Sequence, residues 1–356
     1  MKILFNNSIF YFQKDGGISR YFYSLSDEFI RNKYDLKIIA PINKNNLLRR
    51  VPKNNKISFY FKKYPSLKIL ELINNKVTDR LISNFKPDIF HETYYSNYKF
   101  KYKKSKKILT IYDLIHEKFN NYFSNEKILK KKEIIHNFDH YICISQNTKK
   151  DLIDIYKIPE KKISVIYLAA SHYRFTLNKH DNFKQKKDFF LYVGSRSTYK
   201  NFKLLISTLK KSSIISNYKI ICFGGGKFSQ TEKKEFENLN IQHIDGDDEI
   251  LIDLYKNAKC LILPSEYEGF GIPMLEAMEL GCPVLSSSTP ALQETGGDAA
   301  LYFDPYSETE LLNKLNLLIN DISLANNLIQ KGFERSNKFS WEKCATETLK
   351  VYKSIL

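Results

Sequence analysis

The sequence alternates short apolar runs with amphipathic segments along most of its length, and this alternation restricts the chain to few folds. A first series of predicted strands comprises Lys2–Phe5, Asp35–Ala40, Asp88–His91, Ile108–Tyr112, His140–Ile144 and Ser164–Leu168. A second series comprises Phe189–Val193, Lys219–Phe223, Ile241–Ile244, Cys260–Leu263, Pro283–Ser286 and Ala300–Phe303. Because helical patterns separate the strands, both series indicate βαβ units and parallel sheets. The chain is therefore predicted to be an α/β protein with two doubly wound, Rossmann-like domains.

The predicted helices connect these strands, and one polar segment divides the chain. The main helical segments are Ser19–Asn32, Leu67–Phe85, Glu126–Asn137, Gln146–Tyr156, Phe202–Lys210, Ser229–Leu239, Ile250–Asn257, Pro273–Leu280 and Pro290–Thr295. The polar residues 171–187 interrupt the pattern and are predicted to link a domain at residues 1–170 to a second domain at residues 188–338. Residues 339–356 are expected to form a helix that returns to the first domain. We expect a ligand-binding crevice between the two domains.

The formal net charge of +17 is concentrated in three Lys-rich regions of the first half, at residues 44–63, 99–107 and 127–132. Such regions are typical of a solvated basic face, or of a surface that meets anionic lipid headgroups or a phosphorylated acceptor. Nucleic-acid binding is the weaker interpretation, although clustered Lys can neutralise phosphates. Asn, Ile, Tyr and Phe are enriched together with Lys, which indicates a bias of the whole sequence.

The cysteines and the N-terminus indicate a cytoplasmic protein. None of the five cysteines forms a Cys-x-x-Cys pair, so reduced and mostly buried thiols are expected at Cys143, Cys222, Cys260, Cys282 and Cys344. The N-terminal residues lack the small-residue cleavage site of a signal peptide. No run approaches the roughly 18 apolar residues that a membrane-spanning helix needs. We expect contact with the inner face of the cytoplasmic membrane to be peripheral at most.

The densest functional pattern lies at residues 265–285, where a strand, a glycine-containing loop and a helix follow one another. Gly269 and Gly271 let the backbone approach a ligand closely, and the helix predicted from Pro273 points its N-terminal N–H groups toward that loop. Glu268 precedes this helix and Glu276 is expected in its first turn. Both carboxylates can then accept hydrogen bonds from hydroxyls of one sugar or ribose. Alternatively, Glu276 is an ordinary first-turn acid that favours the helix dipole.

A second pattern follows the strand Phe189–Val193. Arg196 and Lys200 lie four positions apart beside the turn at Gly194. Two cations at a strand end can neutralise a diphosphate and the charge that grows on it as a sugar departs. The alternative is that both are ordinary surface charges.

Two further glycine segments follow predicted strands. Gly16 and Gly17 can wrap backbone N–H groups around phosphate oxygens. Gly224, the first residue of a Gly-Gly-Gly run, follows Lys219–Phe223 and can support a nucleotide base, although an ordinary turn explains it nearly as well. The acidic segment at residues 245–248 is interpreted as a turn and helix cap, with no metal site.

Taken together, these segments resemble the retaining glycosyltransferases of family 4, also called group 1, which have the GT-B fold. The hallmark of that family is Glu-x7-Glu, matched here by Glu268 and Glu276. Other matching segments occur in the order of the family: Gly16–Ile18, Gly194–Asn201, Leu254–Ala258, Glu294–Ala300 and Phe339–Trp341. The similarity extends to bacterial O-antigen and capsule mannosyltransferases.

The resemblance implies roles for individual residues. Glu268 would contact hydroxyls of the donor sugar and Glu276 the ribose, while Arg196 and Lys200 would stabilise the diphosphate. The remaining donor-binding residues would be Gly16, Gly17, Gly224, Gly269, Phe270 and Gly271. No obligatory metal and no cofactor other than the nucleotide-sugar donor is implied. Many relatives carry Arg where this chain has Tyr199, so one cation is absent.

The first domain departs from the family at Tyr112, where relatives often carry a histidine near the donor sugar. Tyr112 can donate a hydrogen bond but cannot act as a base at neutral pH. Asp113 is either a substrate contact or a loop-capping residue. His116 and His91 are candidates for donor or acceptor contacts, and a structural role is the simpler interpretation for each.

The expected function is transfer of a hexose, with mannose preferred, from a nucleotide diphosphate to a glycan or a polyprenyl-diphosphate-linked acceptor in surface-polysaccharide synthesis. A nucleotide-sugar epimerase with the same architecture is one alternative. The others are a basic nucleic-acid-binding protein and a non-catalytic interaction protein. The last would need a damaged site, yet the expected acids and cations are present.

Overall fold

The computed structural model describes residues 1–62, 66–96, 98–100, 102–123, 125–170, 187–196, 198–211 and 218–356. These residues form two compact units, one of Met1–Leu168 with Trp341–Leu356 and the other of Ala169–Ser340. Apart from Lys187, the predicted linker lies outside the described residues.

The first unit contains a seven-stranded sheet in which all neighbouring strands run parallel, in the order β3-β2-β1-β4-β5-β6-β7. Its strands are β1 (Lys2–Phe5), β2 (Asp35–Asn43), β3 (Lys56–Tyr60), β4 (Ile89–Glu92), β5 (Lys106–Ile111), β6 (His140–Cys143) and β7 (Ile163–Val165). Its helices up to residue 168 include α1 (Ser8–Phe12), α2 (Gly17–Arg31), α3 (Leu67–Phe85), α4 (Ile115–Lys118), α5 (Asn125–Ile134) and α6 (Gln146–Tyr156). The strand order reverses between β1 and β4.

The second unit contains a six-stranded parallel sheet in the order β10-β9-β8-β11-β12-β13. Its strands are β8 (Phe189–Val193), β9 (Lys219–Phe223), β10 (Ile241–Ile244), β11 (Cys260–Leu263), β12 (Val284–Ser287) and β13 (Leu301–Phe303). Its helices include α7 (Phe202–Lys210), α8 (Gln230–Glu235), α9 (Asp248–Asn257), α10 (Ile272–Glu279), α11 (Pro290–Gly296), α12 (Glu308–Asn320) and α13 (Ile322–Ser336). Here the order reverses between β8 and β11, and ligands of doubly wound sheets bind at such a switch point.

The C-terminal helix α14 (Trp341–Ile355) belongs to the first unit, where it packs against α2. The ring centroids of Trp341 and Tyr21 lie 6.2 Å apart, and those of Tyr352 and Phe29 lie 6.1 Å apart. All four side chains are buried. Burial of these side chains holds α14 against the first unit, because an amphipathic helix buries its apolar face in the core. The predicted fold class, with its returning C-terminal helix, is confirmed.

Polar side chains cap the start of two helices, and one of these caps, in the segment 245–248, was predicted from the sequence. Ser145 accepts a hydrogen bond from the Thr148 N–H at the start of α6, and Asp247 accepts one from the Ile250 N–H at the start of α9. Pro290 lies in the first turn of α11, where a missing N–H costs nothing. All five cysteines are buried thiols. Among the described helices, none is long and apolar enough to cross a bilayer.

Among the α-helices and strands described for the first unit, α1, β3 and α4 were not predicted. The helices α1 and α4 contain only five and four residues, too few for a periodic apolar pattern. The strand β3 is an edge strand whose side chains are half-buried or exposed, so it lacks the apolar run that marks the central strands.

Candidate functional site

The candidate site is built on the loops that follow β8 and β11, the two strands at the switch point of the second sheet. The Glu266 N–H donates to the Tyr199 carbonyl oxygen at 2.8 Å and ties one loop to the other. Ser287 at the end of β12 donates its hydroxyl to the Ser265 carbonyl oxygen at 2.5 Å. These bonds fix the backbone on which the predicted acid Glu268 and the predicted cation Lys200 stand.

Lys200 and Glu268 form an ion pair between the two loops. Lys200 Nζ lies 2.6 Å from Glu268 Oε1, and the Ser265 hydroxyl donates to the same oxygen at 2.7 Å. The two charged side chains are 22% and 14% exposed, so solvent still reaches both groups. The structure thus brings together one acid and one cation that the sequence analysis selected from segments 68 positions apart.

Tyr192 at the end of β8 lies close to both predicted charges of this region. Its hydroxyl donates to the Ser195 carbonyl oxygen at 2.6 Å. Burial raises the pKa of Tyr192 far above its usual value; the Glu268 carboxylate raises it further, whereas the Arg196 guanidinium opposes both. Tyr192 is therefore a neutral hydrogen-bonding group near both Glu268 and Arg196.

Arg196 is buried and already engaged by protein groups. Its Nε donates to Glu232 Oε1 at 2.6 Å, and its Nη2 donates to the Gly226 carbonyl oxygen at 2.9 Å. The guanidinium lies 4.8 Å from the ring centroid of Phe228, and the side chain is only 5% exposed. Arg196 and Lys200 are each bound to a different carboxylate, and their expected contact with a diphosphate stays a prediction. Arg196 holds the glycine run that follows β9.

The glycine run at residues 224–226 adopts a conformation that only glycine enters without strain. All three residues have φ between +72° and +77°. A Cβ on Gly225 would come within 2.5 Å of the Gly194 carbonyl oxygen, whereas a Cβ on Gly224 or Gly226 would meet nothing within 4 Å. The middle glycine therefore lets two loops touch through their backbones, and its neighbours border open space.

Glu276 lies in the second turn of α10 and not in the first turn as expected, because the helix begins one residue earlier than predicted. The helix begins at Ile272, so Glu276 is its fifth residue. Its carboxylate is buried and accepts a hydrogen bond from the Tyr255 hydroxyl of α9 at 3.1 Å. The alternative role as a first-turn acid is therefore wrong. The position of this side chain depends on α9 as well as on its own helix.

The glycine loop before α10 is shaped by its backbone. Gly271 has φ of +104° and is the N-cap of α10. The Phe270 carbonyl oxygen accepts a hydrogen bond from Thr295 at 2.6 Å. The Phe270 ring is buried against Phe339, with the ring centroids 5.8 Å apart. Of the predicted donor-binding residues here, Phe270 thus uses its side chain for packing.

His91 is a structural residue of the first unit. It is fully buried; Nδ1 lies 2.5 Å from the Tyr352 hydroxyl and Nε2 lies 2.8 Å from the Thr110 hydroxyl. Burial lowers the pKa of His91 to about 3, so the ring is neutral at physiological pH. Because both ring nitrogens bind protein groups, His91 has the structural role that was the simpler of the two interpretations. It holds α14 against the sheet.

The other candidate contact residues of the first unit also have side chains that are buried or in contact with protein groups. Tyr112 is buried beside Tyr21, and burial raises its pKa well above the usual value. Asp113 accepts a hydrogen bond from the Ile115 N–H at 3.2 Å, which is the loop-capping alternative. The His116 ring is half-buried and packs on Phe123, with the ring centroids 4.4 Å apart. The hydroxyl of Tyr112 is buried in this conformation, and its contact with a ligand stays a prediction.

The two glycines near the N-terminus belong to a helix start. Gly16 is the N-cap of α2 and Gly17 is the first helical residue. The Gln13 side chain accepts a hydrogen bond from the Ser19 N–H at 3.1 Å, and the Ser19 hydroxyl donates to the Gly16 carbonyl oxygen at 3.0 Å. Protein groups therefore already satisfy part of this helix end, and the expected wrapped loop is a capped helix.

Four residues of the site were missed by the sequence analysis: Tyr192, Glu232, Tyr255 and Ser265. Tyr192 lies two positions before Gly194 of one predicted motif, and Ser265 is the first residue of the motif at residues 265–285; these positions were the signal available for them. Glu232 and Tyr255 lie on helices that precede and follow β10, and no local spacing connects them to Arg196 or Glu276. The contacts of Glu232 with Arg196 and of Tyr255 with Glu276 form only in the tertiary structure.

Comparison with known families matches both units. The model of the glycosyl transferases group 1 matches residues 174–335, and the model of glycosyltransferase family 4 matches residues 15–171. An uncharacterized glycosyltransferase of Methanocaldococcus jannaschii is 27% identical over 65% of this chain and 65% of its own length. The O-antigen chain mannosyltransferase RfbU of Salmonella typhimurium is 30% identical over 54% of this chain and 55% of its own length. The chain thus spans less than two thirds of these relatives.

Solved structures support the same fold over the full chain. The Anabaena protein HepE, solved in complex with UDP and glucose, is superimposed with a TM-score of 0.73. The superposition covers 99% of this chain and 100% of that one, at 16% sequence identity. The two parallel sheets of the present chain therefore have the GT-B arrangement of strands and helices.

Proposed function

Because the chain belongs to the group 1 glycosyltransferases, we propose that it transfers a hexose from a nucleotide diphosphate sugar to a glycan or lipid-linked acceptor with retention of anomeric configuration. The observation that carries this proposal is the Lys200–Glu268 ion pair at the switch point of the second sheet. A cation and a carboxylate held side by side offer one group for a diphosphate and one for sugar hydroxyls.

The donor would lie across the loops after β8, β9 and β11. Lys200 would leave Glu268 for a diphosphate oxygen, and the Glu268 carboxylate would then accept hydrogen bonds from hydroxyls of the hexose. Glu276, held by Tyr255, would accept from the ribose hydroxyls. The space beside Gly224 and Gly226 is open, so the nucleotide base can pack on their backbone. Arg196 would act mainly through the glycine run that it supports.

In the proposed reaction, the acceptor oxygen forms a bond to the anomeric carbon as the bond from that carbon to the diphosphate oxygen breaks. The acceptor proton passes to the departing phosphate, so attack and departure occur on the same face of the sugar. Lys200 and the N-terminus of α10 would stabilise the charge that accumulates on the diphosphate. Glu268 would orient the sugar and need not form a covalent bond.

For the donor, we propose GDP-mannose, since the O-antigen relatives are named as mannosyltransferases. A UDP-hexose is the second candidate, because the Anabaena structure was solved with UDP and glucose. For the acceptor, the same relatives favour a growing surface glycan. A polyprenyl-diphosphate carrier at the inner membrane face would place such an acceptor beside a cytoplasmic enzyme.

A thermal-shift screen against GDP, UDP, ADP and their sugars tests the donor assignment, because a ligand that binds only the folded chain raises the melting temperature. A labelled donor then separates transfer, which makes a new glycosidic bond, from epimerisation, which returns an altered free sugar nucleotide. We expect Glu268→Gln to abolish transfer while the melting temperature stays near the wild-type value. The control is Glu266→Gln in the same loop. Wild-type transfer by Glu268→Gln would refute the proposed role.

A further inference from the structure

Glu232 is an acid of the second unit whose carboxylate connects a helix to the loop after β8. It is the third residue of α8. Its oxygen Oε1 accepts a hydrogen bond from Arg196 Nε at 2.6 Å, and its oxygen Oε2 accepts one from the Ser229 N–H at 2.7 Å. One side chain therefore joins the start of α8 to the arginine of the candidate site.

Helix capping explains only one of these two bonds. Ser229 Oγ accepts a hydrogen bond from the Glu232 N–H at 3.2 Å, so the two residues form a capping box. A glutamine serves in such a box as well as a glutamate does. The negative charge is therefore not needed for the cap. It strengthens the bond to Arg196, because a charge-assisted hydrogen bond is roughly twice as strong as a neutral one.

The bond to Glu232 sets the direction of the rest of the guanidinium. This group is planar and rigid, so a partner at Nε fixes where both Nη atoms point. In Arg196, Nη2 donates to the Gly226 carbonyl oxygen at 2.9 Å, and Nη1 donates to the Gly224 carbonyl oxygen at 3.4 Å. The Phe228 ring lies against the same group. A guanidinium that turned away from Glu232 would lose both backbone carbonyls.

The glycine run at residues 224–226 depends on such bonds for its conformation. Glycine has more conformational freedom than any other residue, so three in succession do not select one backbone conformation by themselves. The Gly224 N–H donates to the Ile244 carbonyl oxygen at 3.2 Å, which fixes the start of the run. Its carbonyl groups are bound by Arg196. The shape of the run thus follows from the orientation of one side chain.

The charges of the pair stabilise each other. Burial, the largest cause, raises the pKa of Glu232, but the hydrogen bonds from Arg196 and Ser229 outweigh it, so the pKa lies below its usual value. The carboxyl is therefore ionised at physiological pH. The side chain of Arg196 is almost fully buried, and a buried cation needs a partner of opposite charge. Glu232 supplies that partner.

We propose that Glu232 is a positioning residue of the donor site, which acts through Arg196 to fix the glycine run. This inference rests on the proposed function, in which the nucleotide base packs beside Gly224 and Gly226. Contacts with the base are the same in the ground state and in the transition state, so their loss raises KM and leaves kcat unchanged. Lys200, by contrast, is proposed to act on the departing diphosphate and therefore on kcat.

Calorimetric titration with GDP and UDP, together with steady-state kinetics, tests this role. Glu232→Gln should weaken binding of the nucleotide that the wild type binds about tenfold, because an amide has one acceptor oxygen where the carboxylate has two. KM for the donor should rise by the same factor at constant kcat. The control Glu237→Gln removes an equal charge from an exposed position beyond α8 and should leave binding unchanged.

A second control separates positioning from helix stability. Ser229→Ala removes the hydroxyl half of the capping box but leaves both oxygens of Glu232 in place. We expect this variant to lower the melting temperature without weakening nucleotide binding, since the loss of a cap affects the stability of the helix. Circular dichroism verifies that all variants fold.

A double-variant cycle shows whether the effect passes through Arg196. Arg196→Met, Glu232→Gln and the combination of the two are compared in the same titration. A residue that acts only through another contributes nothing once the other is removed, so the combined variant should bind nucleotide no more weakly than Arg196→Met. Additive losses would show that Glu232 acts on the site by another route, and would overturn the inference.

Other results would also overturn it. One is equal nucleotide affinity of Glu232→Gln and Glu237→Gln, and another is a fall in kcat at constant KM. A wild type that binds none of GDP, UDP and ADP would instead refute the proposed function. Backbone hydrogen exchange at residues 224–226 then tests the positioning role by itself. We expect faster exchange in Glu232→Gln than in Glu237→Gln, and equal exchange would refute that role.

Discussion

The two sheets place polar residues at the same topological position, where the strand order reverses, but they use these residues differently. In the second sheet the loops after β8 and β11 carry an ion pair that solvent still reaches, and glycines with positive φ follow β8 and β9. In the first sheet β4 ends in His91 and Glu92, which are both sealed from solvent. A shared fold therefore predicts where a ligand site can form but leaves open whether the local side chains are available to a ligand.

The difference has a physical origin in what covers each strand end. In the first unit α14 brings Tyr352 onto His91, and Ser96 donates its hydroxyl to Glu92. Buried polar groups of this kind are stabilised only by satisfied hydrogen bonds. In the second unit Lys200 and Glu268 satisfy each other while solvent still reaches them, so a ligand can replace one partner by another at modest cost. We accordingly expect substitutions at the two positions to affect different properties.

The largest expected effect concerns the ion pair of the second unit. Lys200→Met should lower kcat for sugar transfer by about 10²–10³-fold, the range found when one stabilising donor is removed from a developing anion. The melting temperature should change little, because a partly exposed ion pair contributes little to stability. Steady-state kinetics with the donor that the thermal-shift screen identifies provides the measurement. The control is Lys203→Met on the adjacent helix, and similar kcat values for the two variants would contradict the assignment.

A smaller effect, on stability instead of activity, is expected in the first unit. Tyr352→Phe removes the hydroxyl bound to His91 and leaves a buried ring nitrogen without its partner. We expect the free energy of unfolding to fall by about 1–3 kcal/mol, whereas the nucleotide-induced thermal shift should persist. Urea denaturation followed by circular dichroism measures the loss. Tyr122→Phe, at an exposed site of the same unit, is the control. A lost nucleotide shift with unchanged stability would reverse the comparison of the two units.

The smallest effect is a pH dependence at Glu92. Burial, the largest cause, raises the pKa of this carboxyl to about 8. Between the unfolded pKa near 4.5 and this value, the folded chain keeps a proton that the unfolded chain has released, so stability falls as the pH rises. From pH 7 to 8 the loss attributable to Glu92 is about 1 kcal/mol.

Glu92→Gln should remove this part of the pH dependence. The measurement is urea denaturation of wild type and variant at pH 7 and pH 8, with the exposed Glu133→Gln as the control. If the wild type and Glu92→Gln lose stability in parallel over this interval, the carboxyl is not held protonated by its burial. The first sheet would then have a more open strand end than the structure describes.

Much of the scaffold was readable from local pattern. The strands Phe189–Val193, Lys219–Phe223 and Cys260–Leu263 match their predicted bounds, because buried parallel strands are short apolar runs bounded by polar turns. The edge strand β3 was not predicted, because it pairs on one side only and lacks the apolar run of a central strand. The exposure of Ile69, Leu72 and Ile73 on α3 was not predicted either, since a helical period does not show which apolar side chains face the core.

The site was readable in part. The spacing of Glu268 and Glu276 and the position of Lys200 selected residues that the fold places at a switch point. The partners of Arg196 and His91 were not predictable, because Glu232 and Tyr352 come from distant segments. A side chain that is charged or titratable in sequence looks equally available whether or not a distant residue has already bound it.

The amino-acid sequence determined the alternation of strands and helices, the glycine turns and the identity of the acids and cations at strand ends. These depend on interactions between near neighbours along the chain, which spacing and residue type record directly. Which of those polar groups meet solvent was decided only in the tertiary structure. A hydrogen bond from the distant Tyr352 helps to bury His91 at one strand end. At the other, Lys200 and Glu268 bind each other across 68 positions while solvent still reaches both.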